Sequence, residues 1–276
     1  MKAIVLLLGV LAGCQADTTK LNEKIDKLDK KLDALLAQGG RGGPGPGGQQ
    51  RPPPQRPGPD VAKTYSVPID NDFFEGPADA KITIVKAYEY ACPFCKRVLP
   101  TMDELRKKYG NDLRIVSKHL IVHPTTATST ALAFCAAARQ GKAKEMDGLL
   151  WAKTFEARAF DPDKCWESDA GCSNLNNHAQ ELQLDMTKFK ADMKRCGSIV
   201  QADMRSLQQL GVSATPSFFI NGRFISGAVP IDNFITVIDE EMKKANERIQ
   251  QGTPKAQYYQ HWVVDKGLKT LEAPKQ

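Results

Sequence analysis

Two cysteines with two residues between them, Cys92-Pro93-Phe94-Cys95, sit where a β-branched, aromatic run gives way to an amphipathic helical pattern. That junction constrains the fold more than any other feature of the chain. Lys81 to Tyr90 (KITIVKAYEY) reads as a strand. Pro93 to Tyr109 reads as a helix, with Pro93 at the tolerated first turn and Val98, Leu99, Met102 and Leu105 on one face. Pro100 falls inside that helix and predicts a kink. At a helix N-terminus, free N–H groups and the macrodipole stabilise a thiolate. Two intervening residues on the first turn bring the second sulfur within disulfide reach, so the pair can pass between dithiol and disulfide with little backbone movement. Cys92 is expected as the exposed nucleophile and Cys95, one turn in, as the shielded resolving thiol.

The rest of the globular region follows a simple order. Leu113 to Ser117 is a second strand, and residues 125–210 are rich in Ala, Lys, Gln and Met with helical periodicity. Ser217 to Ser226 (SFFINGRFIS) reads as two short strands around Asn221-Gly222, a type I′ hairpin signal. Ile231 to Ile249 is a long helix, and a further short helix is expected near Tyr258 to Leu271. The pattern is α/β, with a helical block between the second and third strands. Composition fits an ordinary globular protein, with 41% hydrophobic and 25% charged residues. The net charge of +6 is mild and concentrated on no element, which argues against nucleic acid as a partner.

The first sixty residues have a different character. Met1-Lys2 followed by the apolar run Ala3 to Leu11 is half the length of a membrane span, which excludes a polytopic membrane protein. Leu11-Ala12-Gly13-Cys14 fits the lipobox of a bacterial lipoprotein signal, so residues 1–13 are expected to be removed and Cys14 lipidated. A short secretory signal with an incidental cysteine is the rival reading. Gln15 after the cysteine resembles outer-membrane rather than inner-membrane sorting. Within residues 14–38, Thr18, Leu21, Ile25, Leu28, Leu32 and Leu35 step by three and four, a coiled-coil seam that predicts a homo-oligomer through residues 18–38. A lone amphipathic helix on the lipid surface would show the same pattern. Residues 39–60 hold eight glycines and seven prolines and form a flexible linker.

Of seven cysteines, Cys14 has its own fate and six remain for the exported part. A metal site at Cys92 and Cys95 would need a second ligand pair. Six residues lie between Cys165 and Cys172, and His119-x-x-x-His123 straddles a strand end and a proline, so no metal site is expected.

The chain from about Val67 to Ile249 resembles the DsbA-like thiol:disulfide oxidoreductases of the thioredoxin superfamily. The likeness lies in Tyr90-Ala91-Cys92-Pro93-Phe94-Cys95-Lys96-Arg97, in Gln140-Gly141-Lys142 after an alanine-rich helix, and in Gly211-Val212-Ser213-Ala214-Thr215-Pro216-Ser217-Phe218-Phe219-Ile220-Asn221-Gly222. The resemblance implies a thioredoxin fold over 61–250 with a helical insertion over about 123–205, and the residues beyond it, 251–276, are expected as a helical tail. It implies catalytic Cys92 and Cys95, flanked by Pro93 and Phe94, and a cis Thr215-Pro216 bond facing them. No cofactor is implied. Partners would be unfolded or reduced exported proteins and a membrane redox partner, in a periplasm-facing setting. Oxidase, isomerase and reductase directions stay open, as does a non-enzymatic copper- or partner-binding lipoprotein.

The chain departs from the family pattern twice. Phe94 stands where histidine is frequent, and Lys86 where a glutamate often lies beneath the active pair. Cys135, Cys165, Cys172 and Cys196 allow three pairings. Cys165–Cys172, closing a small polar loop, and Cys135–Cys196, joining two helices of the insertion, are preferred. A buried free thiol at Cys135 remains the alternative. His123-Pro124 resembles a family turn that caps the next helix, and Trp166 is expected to pack its loop.

Overall fold

Strand β2 (Ile82–Tyr88) is buried at every position, because it is the middle of a sheet covered on both faces. It pairs in parallel with β3 (Leu113–His119), with Ile84 opposite Ile115, and antiparallel with β4 (Ser217–Ile220), with Val85 opposite Phe219. A two-residue strand, β1 (Phe74–Glu75), lies antiparallel on the outer edge of β3. Strand β5 (Arg223–Ser226) completes the order β1-β3-β2-β4-β5. This is seen in a computed structural model, which describes residues 58–70 and 72–271 together with Lys27. The expected signal segment 1–13, the Cys14 lipidation site, the heptads (Lys27 apart, which is helical) and the linker up to residue 57 lie outside the described residues.

Alternation along β2 sends its side chains to two cores. Ile82 and Ile84 meet Val98, Met102 and Leu105 beside Phe234 and Ile238 of a long helix, α7 (Ile231–Gln250). Val85 and Ala87 face the opposite side, against Leu207, Leu210, Val212, Tyr259 and Val263. The hairpin between β4 and β5 turns at Asn221 and Gly222, with φ of 43° and 85°. A Cβ on Gly222 would come within 2.5 Å of the Tyr65 carbonyl oxygen. Asn221 is fully buried, where its side-chain oxygen accepts the Thr83 N–H (2.8 Å) and its amide donates to the Lys81 carbonyl (3.0 Å).

The expected kinked helix from Pro93 to Tyr109 is two helices, α1 (Pro93–Arg97) and α2 (Leu99–Tyr109), meeting at Val98. Pro100 has no N–H for the carbonyl four residues back, so the chain restarts with Pro100 in the first turn of α2, where the missing donor is harmless. Past α7, the short helix expected near Tyr258 to Leu271 ends at Val264: a 3-10 turn (Lys255–Gln257) leads through helical Tyr258 and Tyr259 into a π-type turn (Gln260–Val264). The chain then bridges to Tyr65 through Leu268. Tyr259 and Val263, four residues apart, lie on one face of this helical stretch and both enter the core beneath the sheet.

Between β3 and β4 lies the helical insertion: α3 (Pro124–Ala138), α4 (Ala143–Leu149), α5 (Ser173–Glu181) and α6 (Met186–Gln209). A π-type segment, Leu150–Glu156, continues α4. Alanines at 131, 133, 136 and 137 are fully buried, so small side chains let α3 pack closely against its neighbours. Helix α6 joins the two regions: Phe189, Met193 and Val200 enter the insertion core, and Leu207 enters the core beneath the sheet. Tyr88, Tyr90, Cys92 and Cys95 belong to the insertion core too, so the helical block walls the dithiol.

Candidate functional site: a dithiol at the β2–α1 junction

Cys92 is the N-cap of α1, in extended conformation, and its sulfur accepts the Cys95 backbone N–H at 3.3 Å. From the other side, the Cys92 thiol donates to the Thr215 carbonyl oxygen, also at 3.3 Å. The Thr215-Pro216 peptide is cis and leads directly into β4. This backbone lies over the sulfur, so Cys92 is only 3% exposed, contrary to the exposed position expected from its place at a helix start. Phe94, between the cysteines, is 52% exposed, with the Arg97 guanidinium 4.5 Å from its ring centre.

The two thiols differ sharply in acidity. Cys92 is lowered to about 6, foremost by the hydrogen bond from the Cys95 side chain. Burial opposes this, and the Thr215 side chain and the N–H groups of Cys95 and Phe94 support it. Helix-terminal N–H groups thus contribute, but behind the neighbouring thiol. Burial above all, with the bond to Cys92, pushes Cys95 far above the ordinary thiol range. One sulfur is poised as a thiolate and the other keeps its proton.

Lys86 does not lie where it would act chiefly on that thiolate. Its ammonium sits 4.0 Å from the centre of the Tyr88 ring, and the main influences on Cys92 come from Cys95, Thr215 and Phe94. Three residues on, Glu89 is fully buried and was not singled out from the sequence. One carboxylate oxygen accepts the N–H groups of Val122 (2.6 Å) and His123 (2.9 Å), and the other pairs with His123 Nδ1. The His123 side chain therefore does not cap α3; it turns back to Glu89. A lone charge inside the apolar run Tyr88-Glu89-Tyr90 was the available signal. The Tyr90 hydroxyl donates to Asp147 Oδ1 at 2.7 Å, fixing this segment to α4.

The thioredoxin family profile matches residues 70–240. This chain belongs to the thioredoxin family. Among solved thioredoxin folds, it is similar to α-DsbA1 of Wolbachia pipientis: 18% identity, 66% of this chain, 96% of that one, TM-score 0.55. It is also similar to the catalytic domain of ScsC of Proteus mirabilis, at 19% identity, 63% and 93% coverage, and TM-score 0.51. The architecture is accordingly a DsbA-like thioredoxin fold with its helical block between β3 and β4. Sequence relatives include Na(+)/H(+) antiporters named NhaA from Herminiimonas arsenicoxydans, 30% identical over 65% of this chain, and Salinispora tropica, 34% over 67%. The chain spans 27% of the length of each.

Within this thioredoxin-family chain, the other cysteines among the described residues are paired. Cys135 is bonded to Cys196, joining α3 to α6, and Cys165 is bonded to Cys172. Trp166 packs against the insertion core. Asp161 lies beside Cys165 and Cys172 in a grouping of metal-ligand type, but those two sulfurs hold each other. The Asp161 carboxylate accepts the N–H groups of Asn174 and Leu175, each at 3.0 Å, at the start of α5. His119 and His123 do not converge: burial lowers His119 to about 3, among Tyr88, Tyr90 and Phe134, while His123 faces Glu89.

Proposed function

We propose that the protein is an extracytoplasmic thiol:disulfide oxidoreductase, exchanging its Cys92–Cys95 dithiol or disulfide with cysteines of exported proteins. The observation that carries this reading is the split acidity of the pair: a Cys92 thiol lowered to about 6 beside a Cys95 thiol held protonated. In the reducing direction, the Cys92 thiolate attacks a substrate disulfide, forming a mixed disulfide and releasing one substrate thiol. Cys95 then gives up its proton and attacks Cys92 Sγ, which closes the Cys92–Cys95 bond and releases the second thiol. The reverse sequence oxidises a substrate dithiol. Two further disulfides favour an oxidising compartment. The test is insulin reduction and refolding of scrambled ribonuclease by the purified protein. Activity in the wild type and none in Cys92→Ser supports the reading; no activity in either assay removes it.

Anchoring through lipidated Cys14 and oligomerisation through residues 18–38 belong to the same proposal. A soluble wild-type protein in cell fractionation would remove the anchor. Identical sedimentation with and without residues 15–38 would remove the oligomer, and with it the two-site cooperation that an isomerase would use.

A further inference from the structure

Phe94 stands between two buried cysteines and is nevertheless 52% exposed. The N–H groups of Cys95 and Lys96 both donate to the Cys92 carbonyl, at 3.1 and 3.2 Å, closing a first turn that leaves position 94 on the outside. Positions 94 and 97 are three apart and share a face of α1. There the exposed Arg97 guanidinium lies 4.5 Å from the centre of the Phe94 ring. Lys96, the other cation of α1, is paired with Glu156 at 2.7 Å, whereas Arg97 has no carboxylate within ion-pair distance among the described residues. An exposed guanidinium ordinarily sweeps through solvent. Stacking on an aromatic face holds it in place and leaves its N–H donors free. We infer that Arg97, held over Phe94, is a specificity-determining residue that selects substrates with an acidic side chain close to the reacting cysteine. This rests on the reading of Cys92 as the thiol that exchanges with substrate.

The reach of the two partners agrees. Cys92 caps the start of α1 and Arg97 ends it, a separation of about 7.5 Å along the helix axis. A substrate strand beside Thr215 has its cysteine at Cys92 Sγ, and its same-face neighbours, two residues to either side, are about 7 Å away. A carboxylate there meets the guanidinium through two N–H donors. Exposed ion pairs are weak in part because two mobile side chains must both be fixed. With Arg97 already seated on the ring, only the substrate side chain is left to order. On the other side of the sulfur, the neutral Thr215 offers no competing charge. The selection leaves the chemistry unchanged. A substrate dithiol gives two electrons and two protons to the Cys92–Cys95 disulfide; that bond opens to two thiols and the substrate closes its own disulfide.

Dithiol peptides and the oxidised, purified protein test this. The peptides carry aspartate, or asparagine as the neutral control, two residues before or two residues after the reacting cysteine. The second-order rate constant of peptide oxidation is read by acid quench and mass spectrometry, in wild type and in Arg97→Gln. The aspartate-to-asparagine ratio in wild type, divided by the same ratio in the variant, cancels what the aspartate does to the peptide's own thiol. The expected quotient is about threefold at one of the two positions, the strength of an exposed ion pair. It should fall to one in about 1 M sodium chloride, where charges are screened within about 3 Å. Arg97→Lys keeps the charge and should retain a preference for aspartate, a rescue that mere packing would not give. Phe94→Leu removes the ring and should weaken the preference; an undiminished one overturns the role given to the ring. A quotient of one at both positions, with normal insulin reduction by wild type, overturns this inference alone. Loss of insulin reduction in wild type overturns the oxidoreductase reading instead.

Discussion

The Cys92 thiol and the Thr215 carbonyl oxygen are 3.3 Å apart, although 123 residues separate them in the chain. The contact places the dithiol between the first βα junction and the entry to β4, which the chain reaches only after the whole helical insertion. A substrate strand pairing near Thr215 would therefore come directly beside the attacking sulfur.

The roles of the two sulfurs follow from their acidity. Cys92→Ser should abolish exchange, and Cys95→Ser should accumulate mixed disulfides through Cys92, read by mass spectrometry after trapping. Alkylation of Cys92 should rise with pH through about pH 6 and then level off, while Cys95 stays unreactive at neutral pH.

The same shift makes the stability of the reduced protein depend on pH. A depressed folded pKa contributes stability above the unfolded thiol value of about 8.5, and that contribution is lost as pH falls through about 6. Across this window the reduced form should gain about 1.4 kcal/mol per pH unit relative to the oxidised form. Denaturant unfolding of both forms checks this, and parallel pH profiles would contradict it.

Phe94 and Lys86 should differ in their weight on the redox poise. Phe94→His adds a cationic ring in the same turn as both sulfurs and should lower the Cys92 pKa. A one-unit fall would raise the reduction potential by about 30 mV in glutathione equilibration. Lys86→Gln should change it less, because the Lys86 ammonium rests on the Tyr88 ring.

Removal of the two structural disulfides should have unequal effects. Cys135–Cys196 spans 61 residues and Cys165–Cys172 spans 7. Loop-closure entropy gives about 4 kcal/mol for the longer loop and about 2 kcal/mol for the shorter. Paired alanine substitutions, compared by guanidinium unfolding, should rank in that order.

Lys118 lies buried between two acids, 2.6 Å from Asp72 Oδ2 and 2.9 Å from Asp203 Oδ1. Lys118→Met leaves buried carboxylates uncompensated and should cost about 3–5 kcal/mol. Burial, with Asp203 next, raises Asp72 to about 6. A raised folded pKa contributes stability that is lost as pH rises through about 6. Asp72→Asn should accordingly be destabilising least, or even stabilising, above that pH in urea unfolding.

What the sequence determined by itself was whatever depends on neighbours along the chain. The strand-to-helix junction at Cys92, the hairpin at Asn221-Gly222 and the long helix after it are local patterns of spacing, turn chemistry and periodicity. The β4 segment with Thr215-Pro216 was legible through its resemblance to a family. Strand β1 was not, since two residues carry no alternation. Pro100 announced a disturbance, but only packing of α1 and α2 decided that the helix would break and restart. Tertiary structure alone decided the electrostatics of the site. Burial of Cys92 under Thr215 and the meeting of Glu89 with His123 join residues from separate loops, and the Lys86 ammonium turns along β2 onto the Tyr88 ring. A carboxylate's partner depends on which backbone N–H groups fold around it, and that is a property of the packed molecule rather than of its sequence neighbours.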